Sequence, residues 1–113
     1  MNTWLTFIET TAFTKRLSAL GLKGSLRDLQ LALLDDPDAG DVEPGTGGLR
    51  KVRLADPTRG KGKRGGARVH YLWLAHKSVI YLLYVYSKDE ASTLTAEQKR
   101  HLRAIVALIK QTA

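Results

Sequence analysis

The sequence predicts an α+β fold: a two-helix hairpin and a C-terminal helix packed on a mainly antiparallel four-stranded sheet, in the order β-α-α-β-β-β-α. Three observations predict it. Apolar residues recur at helical spacing between Thr10 and Asp36 and again after Thr95, with capping residues at the starts. The stretches between alternate, or are rich in β-branched and aromatic residues, as strands are. Glycine-rich turn chemistry separates them, and helices followed by a meander suggest helices on one face of a sheet.

Taken in order, Thr3 to Ile8 alternates as a short strand, with Trp4 and either Phe7 or Ile8 as core anchors. Thr10 is placed to cap a first helix, Phe13, Leu17 and Leu20 form its apolar stripe, and Gly21 stops it. Ser25 is placed to cap a second helix, whose first turn holds Asp28 at the positive helix end. Leu26, Leu29 and Leu33 form its stripe, Asp36-Pro37 ends it, and the short Gly21–Gly24 connection makes the two helices an antiparallel hairpin. Asp38 to Gly48 reads as a loop throughout. Leu49 to Leu54 alternates, with Val52 and Leu54 on one side and Lys51 and Arg53 on the other. Ala55 to Gly66 is a second, basic loop, and Ala67 to Leu74 and Val79 to Tyr86 are strands joined by a turn at His76-Lys77. Thr95 and Gln98 make a capping box before a last helix with an apolar face of Leu102, Ile105, Val106 and Ile109.

A chain of 113 residues suits one domain, 1–113, with one core. Apolar residues at 43% and charged residues at 26% are those of an ordinary soluble protein. No apolar run is long enough to span a bilayer, and Glu9, Lys15 and Arg16 break up the N-terminal segment, so neither a membrane anchor nor an export signal is expected. The absence of cysteine excludes a disulfide framework and thiolate metal sites, and fits a cytoplasmic protein.

The net charge of +7 has a definite address. Arg50, Lys51, Arg53, Arg59, Lys61, Lys63, Arg64 and Arg68 face only Asp56 among the acids of that stretch, which carries +7, so the remainder of the chain sums to zero. Such concentrated self-repulsion usually serves a polyanion, either nucleic acid or an acidic partner. Gly60, Gly62 and Gly65 match the spacing of a dinucleotide-binding loop, but a strand follows where that loop needs a helix, so the match is accidental. Glycines with Lys61, Lys63 and Arg64 instead suit a phosphate backbone. Arg50 and His70 join them as candidate RNA-binding residues; His70 alternates with Arg68 on the cationic face and is either a half-exposed strand histidine or a proton carrier. His76 and His101 read as surface residues.

Lys51, Arg53 and Arg68 can converge at one end of the sheet, with Lys88 in phase with Tyr84 and Tyr86 on the last strand. That set suits RNA cleavage, whose nucleophile is the substrate's own 2′-hydroxyl. The protein must accept that proton, stabilise the phosphoryl charge and protonate the leaving oxygen. A guanidinium can hold two phosphoryl oxygens, and a lysine among cations gives access to a neutral amine base. The candidate catalytic residues are therefore Lys51, Arg53, Arg68, Lys88 and Tyr86, the last to orient or stack on a base. No cofactor and no metal are expected.

The segments PGTGGLRKVR (Pro44 to Arg53), GKGKRGGARVHYLW (Gly60 to Trp73), YLLYVYSKDE (Tyr81 to Glu90) and LTAEQ (Leu94 to Gln98) resemble HigB toxins of the RelE/ParE superfamily, closely over about half the chain. The resemblance implies the compact RelE-like fold and a type II toxin–antitoxin system. It implies an endoribonuclease that cuts translated mRNA in the ribosomal A site, with a HigA-like helix-turn-helix antitoxin, the ribosome (rRNA) and mRNA as partners. It places Lys51 and Arg53 among the basic active-site residues of the second strand, Arg68 on the arginine that holds the scissile phosphate, and Lys88 on the lysine after the last strand. Two positions depart from the pattern: Asp89 is acidic, and His70 stands where relatives usually carry an aliphatic residue. The alternatives are a non-catalytic toxin of the ParE type acting on DNA gyrase, and a passive RNA-binding module.

Overall fold

The computed structural model describes residues 4–55, 66–88, 90–91 and 93–112. Strand β1 (Thr6–Glu9) leads into helices α1 (Thr11–Ala19) and α2 (Leu26–Asp35). Strands β2 (Asp41–Val42), β3 (Arg50–Leu54), β4 (Ala67–Leu74) and β5 (Val79–Ser87) follow, and helix α3 (Ala96–Thr112) ends the chain. The strands form one sheet in the order β1-β5-β4-β3-β2. β1 runs parallel to β5, and every other pair is antiparallel.

The expected α+β class holds, with two changes. The sheet has five strands rather than four, because Asp41–Val42, inside the segment expected to be a loop, pairs with Lys51 and Arg50. The helices also take both faces rather than one. Phe13, Leu17, Leu29 and Leu33 of α1 and α2 pack with Val69, Tyr71, Leu82 and Val85 on one face. Leu102 and Val106 of α3 pack with Leu49, Leu72, Leu83 and Tyr86 on the other. An irregularity between His70 and Tyr71 passes over Leu83, with His70 opposite Tyr84 and Tyr71 opposite Leu82.

Local chemistry accounts for most element ends. Thr10 is extended, and its Oγ1 accepts from the Phe13 N–H at 3.1 Å, the expected cap of α1. Gly21, at φ +71°, ends the helix: its N–H donates to Ser18 and the Leu22 N–H to Leu17, while Leu17 and Leu22 are buried in the same cluster. Ser25 does not cap α2. A 3₁₀ turn at Lys23–Ser25 already winds the chain there, and its Oγ donates instead to the Ala55 carbonyl, tying α2 to the end of β3. Trp4 is 83% exposed and is no core anchor; Phe7 packs against the α1–α2 core in its place. α3 opens on the expected capping box, Thr95 N–H to Gln98 Oε1 at 2.8 Å and Gln98 N–H to Thr95 Oγ1 at 3.1 Å.

Two further features bear on the site. Beyond the reach of β1, the edge of β5 is satisfied by α1: Thr10 Oγ1 donates to the Leu83 carbonyl and Arg16 Nε to the Val85 carbonyl. The turn between β2 and β3 is closed by Glu43 N–H to Leu49 O at 2.8 Å and by the buried Thr46, whose Oγ1 donates to Glu43 O and accepts from Leu49 N–H. Gly47, at φ +79°, lies against Val106, where a Cβ would stand 3.3 Å from Cγ1, so this turn sits directly on α3. No described helix is long and apolar enough to cross a membrane.

Candidate functional site

The ladder register builds two parallel rows of side chains across the sheet. Lys51 on β3 stands opposite His70 on β4, which stands opposite Tyr84 on β5. One step toward the basic loop, Arg53 stands opposite Arg68, which stands opposite Tyr86. Cross-strand partners share a face, and this is the face on which α3 packs. α3 reaches the first row, where Gln98 Nε2 donates to the Tyr84 hydroxyl at 3.4 Å. It leaves the Arg53–Arg68 part of the second row open, while Tyr86 is packed in the α3 cluster: a concavity of about 500 Å³ there is lined by Ala39, Asp41, Lys51, Val52, Arg53 and Arg68.

Two guanidiniums directly opposite each other repel. Among the described residues, neither Arg53 nor Arg68 has a carboxylate within ion-pair distance. Arg68 Nη1 makes only a long contact, 3.4 Å, to the Ala67 carbonyl. Asp41 lines the same concavity from β2 without pairing either arginine. Beside them, Tyr86 is 3% exposed, and among the described residues its hydroxyl has no hydrogen-bond partner. Burial pushes that phenol's pKa up, Glu43 adds to the effect and Arg68 opposes it, so the hydroxyl keeps its proton.

The first row is closed and paired. Glu43 is nearly buried, with Oε1 at 3.3 Å from Lys51 Nζ and 3.5 Å from His70 Nε2, and Oε2 at 3.5 Å from Lys99 Nζ of α3. Burial raises its pKa, but the hydrogen bond and charge of Lys51, joined by His70, outweigh that, so the carboxyl lies below its ordinary value. His70 is pushed down by burial; Glu43 opposes this, Lys51 and Lys99 reinforce it, and the imidazole is neutral at neutral pH. Its ring stacks on Tyr86 at 5.8 Å between centroids, and among the described residues its Nδ1 has no partner.

The expected site residues thus separate. Lys51, Arg53 and Arg68 line one concavity; Tyr86 is next in the Arg53–Arg68 row but is 3% exposed, so no base stacks on its ring as the structure stands. Lys88 lies just past the end of β5, exposed, its N–H donating to Gly66 O. His70 shares the cationic face but is wholly buried rather than half-exposed, so no RNA reaches it as the structure stands. Arg50, one residue from Lys51, lies on the opposite face, where it pairs with Asp38 and donates to the Gly40 carbonyl at 2.7 Å. Lys61, Lys63 and Arg64 lie outside the described residues.

Sequence reasoning missed Glu43. The available signal was the spacing of DVE and LRK around a five-residue, glycine-containing turn, which as a hairpin sets Asp41 opposite Lys51 and brings Glu43 diagonally within reach of the lysine.

No family model matches the chain. Among solved structures it is similar to that of the Escherichia coli toxin RelE, an arginine-to-alanine double mutant in the free state, with a TM-score of 0.56 and 16% identity over 78% of this chain and 87% of that one. The fold is RelE-like.

Proposed function

We propose that the chain is the toxin of a type II toxin–antitoxin system, a ribosome-dependent endoribonuclease that cuts translated mRNA in the A site. One observation carries the reading: Arg53 and Arg68 face each other in an open concavity, and among the described residues neither has a carboxylate partner. A site that holds two guanidiniums face to face, with no carboxylate within ion-pair distance of either among the described residues, suits an anion brought by a ligand.

In this reading the scissile phosphate lies between the two guanidiniums, each able to hold phosphoryl oxygens with two N–H groups. The 2′-oxygen attacks the phosphorus as its proton leaves, the bond to the 5′-oxygen breaks, and that oxygen takes a proton. Charge grows on the phosphoryl oxygens during this step, and fixed guanidiniums stabilise it without reorganising. Lys51 and Lys88 stand on either side of the arginine–tyrosine row and neutralise the strand. The RelE-like fold and the HigB resemblance support a ribosomal substrate and a helix-turn-helix antitoxin as the neutralising partner.

Primer extension on cellular mRNA after brief expression tests the reading. Cuts confined to translated regions, and lost with Arg68→Ala, support it. Growth arrest with DNA damage and intact mRNA would sink it and favour a gyrase poison of the ParE type.

A further inference from the structure

The turn between β2 and β3 delivers a carboxylate to a face otherwise suited to a polyanion. Glu43 is only 10% exposed in its side chain and is held from three elements, by Lys51 of β3, His70 of β4 and Lys99 of α3. The turn itself is fixed at its base by Thr46 and by the Glu43–Leu49 hydrogen bond, and Gly47 seats it on α3. Affinity for RNA gives no reason for this arrangement, since a fixed anion lowers the local positive potential. Solvation of Lys51 does not demand it either, because that side chain is one-third exposed. What the carboxylate does supply is a fixed point for a long, flexible ammonium.

We infer that Glu43 is a positioning residue acting through Lys51: its carboxylate holds the Lys51 ammonium at one place on the sheet face, beside the Arg53–Arg68 pair that takes the phosphate. The inference rests on the cleavage reading above. It divides the cations into two kinds. Arg53 and Arg68 have no carboxylate partner among the described residues and meet the substrate directly; Lys51 arrives already paired. Lys99 and His70 hold the remaining sides of the carboxylate, so the pair cannot drift as the strand binds.

Single-turnover cleavage on programmed ribosomes, together with binding of a single-stranded RNA carrying a 2′-deoxy residue at the cut, tests it. Glu43→Gln should bind that RNA as tightly as the wild type or more so, having lost a negative charge, yet cleave on the order of ten- to a hundredfold more slowly. Glu43→Asp should recover part of the rate. In a Lys51→Met background, Glu43→Gln should slow cleavage no further. Wild-type cleavage by a folded Glu43→Gln protein, or defects that multiply in the double variant, overturns the inference. If Glu43→Gln fails to fold, Glu43→Asp takes its place under the same two criteria, its shorter side chain drawing the carboxylate back from Lys51. A wild-type protein that leaves translated mRNA intact overturns the functional reading itself, a result distinct from either.

Discussion

Arg68 carries the most weight of any single side chain. It stands opposite Arg53 on one side and Tyr86 on the other, and among the described residues no carboxylate balances it. Arg68→Ala should therefore lower the cleavage rate by about 3–4 kcal/mol of transition-state stabilisation, roughly a hundred- to a thousandfold. The same change relieves a cross-strand repulsion, so urea unfolding should show stability unchanged or raised by a few tenths of a kcal/mol. Lost activity accompanied by a clear loss of stability would show that Arg68 holds the fold and not a phosphate. The arginines were legible in the sequence because strand alternation alone sends Lys51, Arg53 and Arg68 to one side. The same rule, applied strictly, puts Arg50 on the other side, where it closes the 38–40 turn. Burial of His70 was not legible: Arg68 and His70 share a strand face, and what separates them is that the first turn of α3 and Glu43 cover the first row, which alternation does not encode.

At the scale of elements, α3 depends on a short-range device that the sequence displays openly. Thr95 and Gln98 satisfy each other's backbone N–H, and Gln98 also reaches the Tyr84 hydroxyl, so the start of the helix is fixed to the sheet. Thr95→Ala should cost about 1 kcal/mol and lower Tm by about 4 °C. An unchanged Tm by calorimetry would mean that packing of Leu102 and Val106 alone sets the helix start. Caps, stripes and the strands from Leu49 onward could be read because each is a local pattern with a period. β2 could not, since its two residues have no periodic signal and pair only because the turn after them brings Asp41 to Lys51. That missing strand also hid Glu43. The division of helices between two faces was equally out of reach, because an apolar stripe says that a helix is covered, not which side of the sheet covers it.

For the molecule as a whole, charge and burial make separate predictions. The excess of +7 sits in one stretch, so RNA binding should weaken with salt at a log–log slope of about −0.7 per phosphate contacted, and Arg53→Ala should make the slope shallower by about that amount. A slope unchanged by that variant would remove Arg53 from the interface. Stability has its own pH dependence, centred on the buried Glu43–His70 pair. His70 in the folded protein has a pKa below its ordinary 6.5, first because of burial, so between those values the unfolded chain binds a proton that the folded one refuses. Stability must then fall as pH drops below about 6.5. Glu43 lies below its ordinary 4.5, because Lys51 and His70 outweigh the effect of burial, so again the unfolded chain binds the proton first. Its contribution is complete above about pH 4.5 and is lost as pH falls through the folded value. Both slopes have the same sign, and each reaches at most about 1.4 kcal/mol per pH unit where one extra proton is bound on unfolding. Urea unfolding should thus give a plateau above neutrality and a two-stage decline on the acid side, the first stage missing in His70→Gln. A curve that stays level between pH 7.5 and about 5.5 would mean that His70 accepts its proton without leaving the core, and the closed first row would have to open in the folded state.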